Sequence, residues 1–192
     1  KGVPSSFTLE LPPYRRPQIG RVLYTSLIDR TIFVLGRAIV VAAPAGMLIW
    51  ILANVYIGQS SVIAHAAGFL DPFARVIGLD GFILMAFILG LPANEIVLPI
   101  LLMAYLSTGE MVEMQNLDSL RGVLVDNGWT LLTALNTMLF SLFHWPCATT
   151  LMTIKKETAS VKWTVLAAVI PTAIAIIICF ITSTVFRLLG WG

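Results

Sequence analysis

Four apolar segments, at about residues 38–56, 82–106, 129–154 and 163–186, dominate this sequence, and within them charge is almost absent. Each is long enough to cross the hydrocarbon of a bilayer, which takes about 20 helical residues. In lipid a backbone must satisfy its own hydrogen bonds, so segments of this kind fold as helices. Only 11% of the chain is charged, against 58% hydrophobic. An average soluble domain carries about 25% charge, so water is the wrong solvent for most of these side chains. The expected fold is all-α, a polytopic transmembrane helical bundle.

The flanks divide the rest. Residues 1–17 are polar and carry Pro4, Pro12, Pro13 and Pro17, which reads as an extended lead-in. In residues 18–37, Arg21, Asp29, Arg30 and Arg37 are spaced among apolar residues. That spacing fits an amphipathic helix lying at the membrane interface, or an ordinary helical approach to the first span. Residues 38–192 form the transmembrane domain. Pro44 and Pro171 bend the first and last spans, and Trp50, Tyr56 and Trp191 suit the interfaces. Residues 57–80 hold a short amphipathic helix near 62–77, where His65 reads as an ordinary surface or core histidine. The chain starts at Lys1 without a signal-peptide pattern, as a piece of a longer protein would.

Two of the apolar segments are interrupted. The first reads Gly90-Leu91-Pro92-Ala93-Asn94-Glu95-Ile96-Val97-Leu98-Pro99. Glu95 is the only acidic residue between positions 82 and 106, and an unpaired carboxylate in the membrane costs at least ~2.5 kcal/mol. Pro92 and Pro99 lack backbone donors and disrupt the turns before them. Two readings stand. In one, freed carbonyls with Asn94 and Glu95 offer ligands to a cation, the broken-helix design of transporter sites. In the other, the helix is kinked and Glu95 pairs with a neighbouring helix. The segment either crosses once or forms a re-entrant hairpin of two half-bilayer legs. The hairpin puts the loop with Lys155, Lys156 and Lys162 on the same side as the Arg-rich start, and the positive-inside rule favours that.

The second interruption reads His144-Trp145-Pro146-Cys147-Ala148-Thr149-Thr150. On one helical turn His144 and Cys147 face the same way across Pro146, and both can bind a transition metal. Thr149, Thr150 and Asn136 add polar groups. The alternative is a satisfied core histidine and a cysteine acting as a small hydrophobe. Met85, Met103, Met138 and Met152 read as packing first. Cys147 and Cys179 form no CxxC pair, which argues against a zinc site or disulfide framework. A net charge of +2 without a basic, aromatic-rich run argues against nucleic acid. No nucleophile with a base and an orienting group is evident, so an enzyme is not expected.

Phe7-Thr8-Leu9-Glu10-Leu11-Pro12-Pro13-Tyr14-Arg15, Asn94-Glu95-Ile96-Val97-Leu98-Pro99, His144-Trp145-Pro146-Cys147-Ala148-Thr149-Thr150 and Ile154-Lys155-Lys156-Glu157-Thr158 occur in this order. Together they resemble the C-terminal membrane portion of the ferrous iron transport protein B (FeoB) family. The resemblance implies the second half of a multi-pass Fe²⁺ permease in a bacterial or archaeal cytoplasmic membrane, built on a gate-type repeat. It implies partners in the lipid bilayer, an N-terminal GTPase domain and a first gate repeat, and leaves a homo-oligomer open. GTP would act only through that further domain, since this sequence has no G-x-x-x-x-G-K-[ST] loop. Fe²⁺ would be the transported ion, with no resident cofactor. Glu95 and Cys147 are the implied pathway residues, with Asn94, His144 and Thr149 beside them and Glu95, Cys147 and His144 as metal ligands. A gate-repeat transporter of an organic solute such as a nucleoside, or a membrane assembly protein without transport, are the alternatives.

Overall fold

The computed structural model describes residues 18–25, 28, 31–114 and 116–190. The proline-rich lead-in, Asp29 and Arg30 of the expected interfacial helix, and Trp191 lie outside the described residues. The chain divides into two units, Lys1–Gly36 and Arg37–Gly192. In the first, α1 (Ile19–Tyr24) is a six-residue helix whose described side chains are exposed. The helix α2 (Thr31–Asn54) is continuous through position 37, where the sequence suggested a change from interfacial helix to span. Apart from Thr31 and Asn54 at its ends, its described side chains are non-polar, and no cap or turn interrupts the helix between them.

In the second unit α2 leads through a two-residue-per-strand hairpin, β1 (Tyr56–Ile57) and β2 (Ser60–Ser61), into α3 (Val62–Val76). There follow α4 (Gly81–Leu89), a 3₁₀ turn at Asn94–Ile96, α5 (Val97–Leu106), α6 (Leu117–Asp126), α7 (Leu131–Phe143), α8 (Ala148–Thr158) and α9 (Val161–Leu188). Two helical stretches are by themselves long and apolar enough to cross a membrane, Val34–Asn54 and Val161–Leu188. Large apolar side chains along them, including Val40, Met47, Trp50, Ile170, Ile177 and Ile181, point outward. A bilayer, not a protein core, solvates such a surface.

α4 and α5 take the hairpin form. Phe82 at the start of α4 meets Tyr105 at the end of α5, ring centroids 5.6 Å apart. At the other end Gly90 lies so close to Val97 that a Cβ on Gly90 would run into the valine side chain. The two legs therefore run antiparallel. With 9 and 10 residues each is about 15 Å long, half a bilayer. The hairpin enters at α3, with which α4 makes a bend of 110°. Gly81 packs on the α3 backbone, where any Cβ would collide with the Ala67 carbonyl.

Polar groups gather at the base of the hairpin. Asp80 caps α4 by accepting the Ile83 N–H at 2.7 Å, and also accepts the Tyr105 hydroxyl. Trp129 Nε1–H donates to Tyr105 at 2.9 Å. Asp71 accepts the Gly81 N–H and pairs with Arg75, whose carbonyl accepts from Arg187 at the end of α9. Asn54 donates to the Gly109 carbonyl at 3.0 Å, bringing the end of α2 to the same level. The loop 107–128 lies at this end and contains α6, a helix that residue order did not announce. Asn116 caps that helix through the Asp118 N–H.

α7 and α8 form an interrupted helix rather than a hairpin. α9 packs along both. Its Cys179 lies against Asn136 of α7, and Ala168, Val169 and Thr172 share a groove with Leu151 of α8. Asn136, fully buried, donates to the carbonyls of Ile77 and Cys179 at 2.8 and 3.3 Å. It thus ties the α3–α4 turn to α7 and α9, well inside the bundle and not at the second break. Phe87 and Phe140 join the α4 and α7 layers edge to face at 4.9 Å.

Candidate functional site

The first break is the tip of the hairpin. The Gly90 N–H still donates to Ala86, ending α4, and Ala93 donates back to Gly90 in a tight turn. Pro92 sits in that turn and cannot continue the ladder. Pro99 behaves differently from expectation: it is the third residue of α5. In the first turn of a helix no intrahelical N–H is needed, so proline is tolerated there and breaks nothing. The interruption is carried by Gly90–Ala93 and the 3₁₀ turn.

The second break spans residues 144–147. Pro146 lies within it. His144 has ψ 177° and Cys147 ψ 158°, both extended. The one-turn spacing that was expected to align His144 with Cys147 therefore does not apply, because the residues between them are not helical. His144 turns inward, 8% exposed. Its ring lies 5.0 Å from Phe87 and stacks on Phe140, with Trp145 edge-on. Nδ1–H donates to the Ser141 carbonyl at 2.8 Å, which leaves Nε2 a buried acceptor without a partner. Cys147 turns the other way. Its sulfur lies 3.1 Å from the hydroxyls of both Thr149 and Thr150.

The two breaks touch. The Ala148 N–H donates to the Leu91 carbonyl at 2.8 Å, joining the start of α8 to the hairpin tip. Beside this bond lies a cavity of about 340 Å³ lined by Ala38, Ala42, Pro92, Ala93, Asn94, Glu95, Cys147 and Thr149. Asn94, Glu95, Cys147 and Thr149 are thus brought together, and His144 is not. Among the described residues no three or more His, Cys, Asp or Glu side chains are grouped to hold a metal. Glu95 is exposed and takes no hydrogen bond or ion pair from any described residue. The alternative of a carboxylate paired with a neighbouring helix is not realised among those residues.

The electrostatics follow from the backbone. Glu95 lies just before α5, and Cys147 is the residue before α8. The N-terminal end of a helix carries about half a positive charge, so both groups sit where negative charge is stabilised. A carboxylate, a sulfur, an amide and a hydroxyl around one cavity suit a cation of borderline softness. Two contributors escaped the sequence reading: the Leu91–Ala148 backbone bond, and Ala38 and Ala42 on α2. The last pair had a signal, two small residues four apart on one helical face.

Comparison with known proteins gives a consistent picture. A family model described as "Gate: Nucleoside recognition" matches residues 24–161, and one described as the C terminus of ferrous iron transport protein B matches residues 1–29. Among curated proteins, the Fe(2+) transporter FeoB of Synechocystis sp. is 29% identical over 96% of this chain and 29% of its own length. The FeoB of Methanocaldococcus jannaschii is 29% identical over 98% of this chain and 29% of its length, and that of Staphylococcus aureus 30% identical over 91% and 26%. The chain thus spans under a third of the length of these relatives. No solved structure matches the chain significantly.

Proposed function

Since the chain belongs to the gate family and corresponds to the C-terminal membrane region of FeoB-type proteins, we propose that it forms half of a ferrous-ion permease, with the cavity between its two breaks as part of the ion path. Glu95 and Cys147 would be the ion's protein ligands, and Asn94 and Thr149 would hold its water. The single observation that supports this most is the meeting of both breaks in one cavity that gathers an unpaired carboxylate and a sulfur in an apolar bundle. A transport site must release its ion, and two ligands hold it less firmly than a closed cage of four. His144 would serve the packing of the second break.

The resemblance to the FeoB family implies the rest of the machine. A GTP-binding domain and a first gate repeat would precede this region on the polypeptide, in the cytoplasmic membrane of a bacterium or archaeon. The loop with Lys155, Lys156 and Lys162 would face the cytoplasm. The base of the hairpin, with the loop 107–128, would then face outward.

The test is Fe²⁺ uptake by cells carrying the full-length transporter with Glu95→Gln or Cys147→Ser. Both variants are expected to lose uptake while reaching the membrane in normal amounts. Normal uptake in both overturns the assignment. Binding of a nucleoside without metal by the purified protein would favour the organic-solute reading instead.

A further inference from the structure

The cavity is large for the ion assigned to it. A water molecule's share of liquid volume is about 30 Å³, so a space of about 340 Å³ has room for roughly ten waters. Only two of its lining residues, Glu95 and Cys147, are strong ligands for a divalent cation, and no third is grouped with them among the described residues. A first-row dication in an oxygen-rich field takes about six ligands. Two from the protein leave about four places, and four waters need about 120 Å³, well within the space available. The wall contributed by α2 is Ala38 and Ala42, two methyl groups one turn apart with no polar atom between them. Larger side chains at those positions would occupy the space that the water needs.

We infer that the cavity takes the ferrous ion with most of its water shell in place, and that Ala38 and Ala42 of α2 determine this by keeping the opposite wall short. The inference rests on the ion-path reading above. Selection then comes from the kinds of ligand, one carboxylate and one sulfur, rather than from a ring fitted to the bare ion. Asn94 and the Thr149 hydroxyl meet the bound waters. An ion that keeps its shell has little dehydration to undergo on entry and little to reverse on leaving, as a path requires.

Cobalt(II) added to the purified full-length transporter reads the coordination directly, because six-coordinate Co²⁺ absorbs weakly in the visible and four-coordinate Co²⁺ strongly. The expected spectrum has weak six-coordinate bands with a sulfur-to-metal charge-transfer band that is lost in Cys147→Ser. In an Ala38→Leu/Ala42→Leu double variant the charge-transfer band is expected to persist, the visible bands to intensify as water is displaced, and Fe²⁺ uptake to be lost. An Ala38→Ser/Ala42→Ser variant, which stays small, is expected to behave as the parent. Intense four-coordinate bands in the parent overturn the inference while leaving the ion path standing, as does unchanged uptake in the leucine variant. No cobalt signal at all overturns the ion path itself. If the leucine variant fails to fold, the parent spectrum alone decides.

Discussion

The first break is the tip of a hairpin whose two legs meet again at one base, Phe82 against Tyr105, whereas the second interrupts a helix that continues beyond it. The difference lies in what each break leans on. α9, with 28 residues, packs along both α7 and α8, so both sides of the second break are held by one continuous partner helix. The hairpin tip has no helix packed along both its legs in this way; among the described residues it meets the second break through one backbone bond, Leu91 to Ala148, and through the groove that Leu91 shares with Trp145 and α9. Its charged residue is exposed, while the histidine of the second break is packed into an aromatic cluster. Proline and polar residues can thus produce a free tip or a clamped joint, and the neighbouring helix decides which.

The most damaging test of this contrast acts on the hairpin alone. Gly81→Val places a side chain against the Ala67 carbonyl and is expected to cost about 3 kcal/mol, since overpacked sites lose roughly that much. Thermal unfolding in detergent measures it, and a loss under about 1 kcal/mol would mean that the hairpin is not seated on α3 as described. Asn136→Ala tests the clamp. It strips the Ile77 and Cys179 carbonyls of their buried donor and is expected to cost about 2 kcal/mol.

Ala148→Pro addresses the link between the regions. Ala148 is the first residue of α8, where proline fits, and Cys147 already has the extended backbone that a following proline demands. The substitution removes one N–H and little else, at about 1 kcal/mol. If the bond couples the breaks, alkylation of Cys147 by a membrane-permeant thiol reagent speeds up. An unchanged rate would show that the tip is held by something other than this bond. The smallest effect is expected for His144→Phe. The aromatic packing is kept and the unpaired Nε2 disappears, so stability should shift by no more than about 0.5 kcal/mol and Fe²⁺ uptake should persist. Loss of uptake with normal stability would return His144 to the path.

Much of this was legible from residue order. Apolar length marked the helices, and Gly90, Pro92 and Pro146 marked the interruptions. The hairpin followed from three lysines, and its legs do pack antiparallel. Less legible was anything that depends on a partner in space. Pro99 has the same chemistry as Pro92, yet three residues into α5 it opens a helix instead of breaking one. The spacing of His144 and Cys147 implied a shared face only if the chain stayed helical, and Pro146 ensured that it did not. α6 escaped because a ten-residue amphipathic helix in a polar loop has too few apolar residues to stand out. Ala38 and Ala42 escaped because two small residues four apart on a helix mark close packing against another helix as readily as the wall of a cavity.

The short legs of the hairpin carry one more consequence, which concerns voltage. On the ion-path reading, a water-filled cavity reaching the hairpin tip would bring the aqueous phase about 15 Å into the bilayer, the length of one leg. The membrane potential would then fall over a shorter path than the full bilayer, while an ion of charge +2 crossing all of it would still gain about 4.6 kcal/mol per 100 mV.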